Sequence, residues 1–105
     1  MKPVEFLGSS LKDLREMPTD ARHELGIELM SVQYGFEPED FKPMPDVGAG
    51  AYEIRYRDAN GAFRLMYVAK FAKAIYVLHA FQKKTQKTSR FDIELAAKRY
   101  KMIGA

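Results

Sequence analysis

The side chains best placed to do chemistry in this chain are cations. Arg55 and Arg57 stand in Tyr52–Arg57, Arg64 follows in Phe63–Phe71, and Lys83, Lys84 and Lys87 crowd Gln82–Thr88. The clustering continues at larger scale: residues 51–105 hold twelve Lys or Arg against four Asp or Glu, a net +8, whereas residues 1–50 hold five against ten, a net −5. The formal +3 of the whole chain therefore conceals a dipolar molecule. A basic half of this kind fits a polyanionic partner, nucleic acid first, with phosphate contacts supplying affinity. Metal chemistry has few ligands to work with. There is no cysteine, and His23 and His79 are too few for a histidine site without carboxylate help. No glycine-rich phosphate loop of the Walker type occurs.

The elements that must position these cations are readable from periodicity. In Tyr52–Arg57 the residues alternate, with Tyr52, Ile54 and Tyr56 pointing one way and Glu53, Arg55 and Arg57 the other. Phe63–Phe71 repeats the pattern, and Asn60-Gly61 between them suits a two-residue type I′ turn. With that turn, Ala59 faces Ala62, Tyr56 faces Leu65, Ile54 faces Tyr67, and Arg57 lies directly opposite Arg64 with Arg55 beside them. Like charges paired across strands are destabilising unless an anion lies between them. A third strand, Ile75–Phe81, is nearly all apolar, as expected of a strand covered on both faces, and it runs directly into the lysine-rich tail. Counting by twos along it places His79 on one face with Ile75, Val77 and Phe81.

The rest of the chain supplies the support. At 105 residues and 12.0 kDa it is read as a single domain over 1–105. No stretch approaches the ~20 apolar residues of a membrane span, and the N-terminus lacks an apolar signal region, so a cytoplasmic, cofactor-free protein with no membrane partner is expected. Pro3–Leu7 is a short strand ended by Gly8. Ser10 and Asp13 look like a capping box for a short helix with Leu11, Leu14 and Met17 on one face, closed by Pro18. A second helix from Thr19 to about Tyr34 carries Ala21, Leu25, Leu29 and Val32, with Gly35 as its C-terminal cap. The two should form a helical hairpin across the sheet, with His23 on the surface. Phe36–Gly50, with three prolines and two glycines, is expected to be a connection of about fifteen residues. Ser89 and Asp92 again fit a capping box, opening a last helix striped by Ile93, Ala96, Ala97, Tyr100 and Ile103.

Several of these segments, taken in order, resemble a known family. SSLKDLREMP, KPMPDVGAG, YEIRYR, FRLMYV, VLHAFQKKTQKT and IELAAKR are similar to the phage-related HigB branch of the RelE/ParE toxin superfamily, over nearly the whole chain. The resemblance implies an α+β fold in which an N-terminal helical hairpin packs on a small, mainly antiparallel sheet followed by a C-terminal helix, with a cleft on the other face of the sheet. It implies the toxin of a type II toxin–antitoxin pair, with a helix-turn-helix-type HigA-like antitoxin as partner. RelE- and HigB-type members cut mRNA on the ribosome without a metal, whereas ParE-type members poison DNA gyrase; the alternative for this chain is such a gyrase inhibitor, or a nucleic-acid-binding adaptor.

What the resemblance implies about residues follows position by position. Arg55 on YEIR, Arg64 on FRLMY, and Lys83, Lys84 and Lys87 in the tail match the basic catalytic positions of the RNA-cutting toxins. Glu53 stands where some relatives have a lysine, so either the general base comes from elsewhere or Glu53 takes part. The implied reaction is attack of a 2′-hydroxyl on the adjacent phosphorus, whose phosphorane needs positioned cations together with a base and an acid. Arginine's planar, always-protonated fork suits charge stabilisation by Arg55 and Arg64, and Arg57, Lys70 and Arg90 are candidates for holding flanking RNA phosphates. The clustered lysines suit proton transfer or phosphate binding. His79 is a further catalytic candidate, because imidazoles as a class change charge near neutral pH.

Overall fold

The computed structural model describes residues 1–104. Its elements run β1 (Val4–Phe6), α1 (Ser10–Arg15), α2 (Thr19–Gln33), β2 (Phe41–Pro43), β3 (Ala51–Asp58), β4 (Gly61–Val68), β5 (Ile75–Lys83) and α3 (Arg90–Lys101). The strands form one mixed sheet in the order β1-β5-β4-β3-β2. Only the β1–β5 pairing is parallel, and the other three are antiparallel. The architecture is thus α+β, with a C-terminal helix, as expected. No helix among the described residues is long and apolar enough to cross a membrane.

Alternation along the strands separates two apolar layers. On one face Leu14 and Met17, with Ala21, Leu25, Leu29 and Val32 of α2, meet Ile54, Phe63, Leu65, Tyr67, Ile75 and Val77. These are the stripes that helical spacing marks out, and burying each large aliphatic side chain is worth roughly 1.5–3 kcal/mol. On the other face Met66, Val68, Tyr76 and Leu78 meet Ala96 of α3 together with Met44 and Val47 from the loop after β2. Helix α3 packs along β5. The charged side chains that β3 and β4 turn toward this second face, with the tail after β5, therefore border a cleft beside the helix.

The helix ends follow local chemistry with one exception. Helix α2 closes with Gly35 at φ +89°, its N–H donating to Val32 O and that of Phe36 to Ser31 O, the bond pair of a Schellman motif. Ser89 caps α3 by accepting from the Asp92 N–H at 3.1 Å. At α1 the expected cap is displaced by one residue. Ser9 occupies the N-cap position, while Ser10 is fully buried and donates from Oγ to Val77 O at 3.3 Å, so packing against β5 has claimed its hydroxyl.

Three expectations about the sheet are corrected. The segment Phe36–Gly50 is not all connection: Phe41–Pro43 pairs with Tyr52–Ile54 as an edge strand. Strand β4 stops at Val68, leaving Lys70 and Phe71 outside it. The hairpin register differs as well. Asp58 pairs with Gly61, so the turn residues are Ala59 and Asn60, and Arg64 faces Arg55 while Arg57 faces Ala62. The cause lies in Asp58, whose Oδ1 accepts from the Asn60 N–H at 2.8 Å while Tyr56 Oη–H donates to its Oδ2 at 3.0 Å. This side-chain turn stands in for the type I′ turn, and Gly61, at φ +132°, takes the left-handed position that Asn60 does not. Each partner has moved by two residues, so the faces predicted from alternation survive.

Candidate functional site

Alternation in β3 turns Glu53 and Arg55 toward the open face, and β4 brings Arg64 opposite Arg55. The cation pair does not stand alone. Glu53 is the diagonal neighbour of Arg64, and its Oε1 lies 3.5 Å from Arg64 Nε. Both side chains are buried, Glu53 at 2% exposure and Arg64 at 3%. The anion needed between like charges on neighbouring strands is therefore built into the protein. The Arg64 Nη1 also donates to Phe63 O at 3.0 Å and Tyr56 O at 3.5 Å. Burial pulls the guanidinium below its ordinary pKa and the Glu53 carboxylate opposes this, while Arg55 and Arg57 add to the lowering.

The other carboxylate oxygen is held from the tail. Thr88 Oγ1–H donates to Glu53 Oε2 at 3.0 Å, joining the segment after β5 to the centre of the sheet. Between β2, β3, this tail and the start of α3 lies a cleft of about 500 Å³, lined by Lys42, Glu53, Arg55, Lys83, Lys87 and Thr88 among others. Lys83 reaches it because β5 extends to that residue, opposite Ala62. Its ammonium is pulled below the ordinary lysine value, first by desolvation and then by Arg64, Arg55 and Arg57, with Glu53 working the other way.

The structure thus brings Arg55, Lys83 and Lys87 to one cleft and sets Arg64 behind Glu53. Lys84 is exposed and lies outside the cleft lining. Arg57 is exposed near the hairpin end, in a smaller depression with Glu24, Glu28, Glu39 and Asp40. Arg90 lies in the first turn of α3, its Nε 3.2 Å from Glu94 Oε1. Lys70 sits over the Phe71 ring, 5.2 Å from its centroid, near Gly50 and away from the cleft.

His79 requires a correction. Met66 pairs with His79 but Tyr67 with Val77, so Leu78 is an extra residue in β5. This bulge resets the alternation. His79 and Phe81 lie on the face of α3, opposite Ile75 and Val77. There the imidazole stacks on Phe81 at 4.6 Å, and its Nε2 lies 2.7 Å from Asp92 Oδ1. The bond ties β5 to the first turn of α3. It lies in a separate depression from the one lined by Lys83 and Arg55.

Two contributors were not visible in the sequence. Lys42 enters the cleft through the unexpected β2, where it pairs with Glu53; strict alternation of the short FKP segment would have been its only signal. Thr88 reads locally as a tail residue, and nothing local marks it as a partner of a carboxylate 35 positions earlier.

Residues 12–101 match the family model described as phage derived protein Gp49-like (DUF891). No curated protein matches the chain.

Proposed function

The chain belongs to the phage-derived Gp49-like family, a toxin-like family of the RelE/HigB type, and from that premise we propose that it is a toxin that cleaves mRNA on the ribosome without a metal ion. The observation that carries this reading is the placing of Arg55, Lys83 and Lys87 around the Glu53 carboxylate in one cleft. A protein-binding poison has no need of such a set, whereas a phosphorane with its extra negative charge does.

The roles follow from position. Arg55 is the arginine that opens onto the cleft, and its fork suits the phosphate oxygens. Arg64 is screened from the cleft and acts through Glu53, holding the carboxylate in place. Glu53 is then the group to receive the proton of the attacking 2′-hydroxyl, with Thr88 and Arg64 fixing its two oxygens. Lys83, whose proton is held less tightly than an ordinary lysine's, is suited to deliver one to the departing 5′-oxygen. Lys87 and Lys42 hold flanking phosphates. The products are a 2′,3′-cyclic phosphate and a 5′-hydroxyl.

Alignment of the 2′-hydroxyl is the part this inventory does not provide. Positioning of reacting groups is worth roughly 7–11 kcal/mol, and in this reading the ribosome supplies it. The antitoxin, of helix-turn-helix type, neutralises the toxin by laying acidic side chains over the basic cleft, and its association slows as ionic strength rises.

The test is induction of the protein in cells, with mapping of RNA ends. Cuts in translated messages, carrying the cyclic phosphate and weakened by Arg55→Gln, are expected. Growth arrest with intact messages and damaged DNA would support the gyrase reading in its place.

A further inference from the structure

The loop Pro43–Gly50 and the aromatic side chains behind it play no part in the chemistry above. On the α2 side of the sheet, the Phe41 and Tyr52 rings meet edge to face at 5.5 Å, and Tyr52 lies 6.0 Å from Tyr67. Together with Phe36, which is 70% exposed, these rings line a pocket of about 420 Å³ whose charged side chains are Lys2, Lys70 and Glu37. This pocket and the basic cleft lie on opposite faces of the sheet. A shallow groove of about 380 Å³ runs between them past Pro43, Pro45, Gly48 and Gly50. It shares Pro43 and Pro45 with the cleft, and Gly50 and Tyr52 with the aromatic pocket. The groove thus borders both the cleft and the aromatic pocket near the end of β2.

The floor of this path is firm and presents backbone. Met44 N–H donates to Ala51 O at 2.9 Å, and Tyr100 Oη–H holds the Ala49 carbonyl at 2.6 Å. Among the described residues the Ala49 and Gly50 amides donate to no protein acceptor. Proline, alanine and glycine leave little side chain in the way, and Gly50, at φ +76°, turns the chain tightly. Successive amides free to donate suit a phosphate lying against the backbone.

Cations in the cleft, open backbone along the groove and rings at its far end repeat the chemistry of a single nucleic-acid strand, phosphates on one side and bases on the other. We propose that single-stranded RNA held in the cleft continues around the end of β2 and stacks a flanking base in the pocket of Phe36, Phe41 and Tyr52, with Lys70 beside its phosphate. The occupant is a base of any identity, because every base offers a π face. A duplex is excluded because it cannot bend around the sheet edge. The proposal rests on the reading of the cleft as an RNA site, which it extends.

The experiment uses the whole protein with 2′-O-methyl RNA, which it cannot cut. A dinucleotide is compared with a strand of about ten nucleotides carrying 5-iodouridine at successive positions, and binding is read from photo-cross-linking titrations. The longer strand is expected to bind about tenfold more tightly, since a stacked base contributes on that scale. Phe36→Ala should remove most of the gain while leaving the dinucleotide unchanged, and cross-links should fall on Phe36 or Tyr52. Lys70→Gln should reduce the gain as well. Because Phe36 and Lys70 are exposed, neither substitution threatens the fold. A gain indifferent to Phe36→Ala, with cross-links confined to the cleft, would overturn the path and leave the cleft reading standing. Failure of both RNAs to bind would overturn the two together.

Discussion

Arg64 and Glu53 form a buried ion pair across the central hairpin, Nε to Oε1 at 3.5 Å, in a sheet whose local pattern reads as a row of repelling arginines. The pairing changes the meaning of Arg64. It is a structural partner of a carboxylate as well as part of a cation cluster, and the cost of bringing Arg55 and Arg64 face to face is offset beneath the cleft rather than by substrate alone.

Removing one member of this pair leaves the other charge buried. Arg64→Gln is expected to lower stability by roughly 3 kcal/mol, since breaking a buried pair costs on that order. The double substitution Glu53→Met with Arg64→Met should return close to the parent in urea unfolding while losing toxicity. A parent-like stability for Arg64→Gln alone would show that the pair does not carry this weight.

Lys83 gives a pH dependence of known sign. Desolvation and the neighbouring arginines lower its pKa in the folded protein, so the unfolded chain binds the proton more tightly. Stability therefore rises with pH between the lowered value and the ordinary lysine value of 10.5. Below the lowered value the protonated side chain is a constant penalty. Lys83→Met should be at least as stable as the parent at neutral pH, lose that advantage in strong alkali, and cleave RNA poorly. Urea midpoints across the alkaline range would show it; a variant uniformly less stable would contradict it.

Tyr67 has the opposite effect. Burial, with the Tyr52, Glu37 and Glu28 charges, pushes its hydroxyl from 10.0 up to about 12. The stabilisation is fully present below pH 10.0, the unfolded value, and is lost as pH rises toward about 12. Ultraviolet titration should show Tyr67 among the tyrosines that ionise late, and Tyr67→Phe should remove its late step together with its share of the alkaline loss of stability.

Arg99 ties the last helix to the rest of the fold. Its Nη1 donates to Leu78 O at 3.0 Å and its Nη2 to Ser9 Oγ at 3.1 Å, joining α3 to the β5 bulge and the start of α1. Arg99→Met should cost about 1–3 kcal/mol through loss of the buried hydrogen bond to the Leu78 carbonyl. Arg99→Lys should not restore it, because one ammonium replaces a fork that reaches two acceptors. Gly8→Ala should be similarly damaging, since its Cβ would stand 2.5 Å from Arg99 Nε at a φ of +55°. Faster amide exchange along α3 in these variants is the measurement.

Much of the fold was legible because its determinants are neighbours in the chain. Alternation in Tyr52–Arg57 assigned faces correctly, the stripe Ala21, Leu25, Leu29 and Val32 is buried, and Gly35 and Ser89 end and begin helices where their chemistry allows. The basic surface was legible too, since charge on β3 and in the tail needs only alternation and composition to be noticed. Most of the parts left to the tertiary structure join distant residues, the hairpin register being set instead within two residues of Asp58. Register depended on the Asp58 turn, the side taken by His79 on the Leu78 bulge, and the entry of Lys42 on an edge strand too short to announce itself. The Glu53–Arg64 contact, the Thr88 bond and the Arg99 tie are set by packing across the sheet, where one extra residue in β5 moves every later side chain to the other face. The sequence by itself determined every element except the short edge strand β2, and the faces of β3 and β4 that carry charge. Only the folded chain decided which of those charges meet, because that depends on pairings between strands that local preferences leave free.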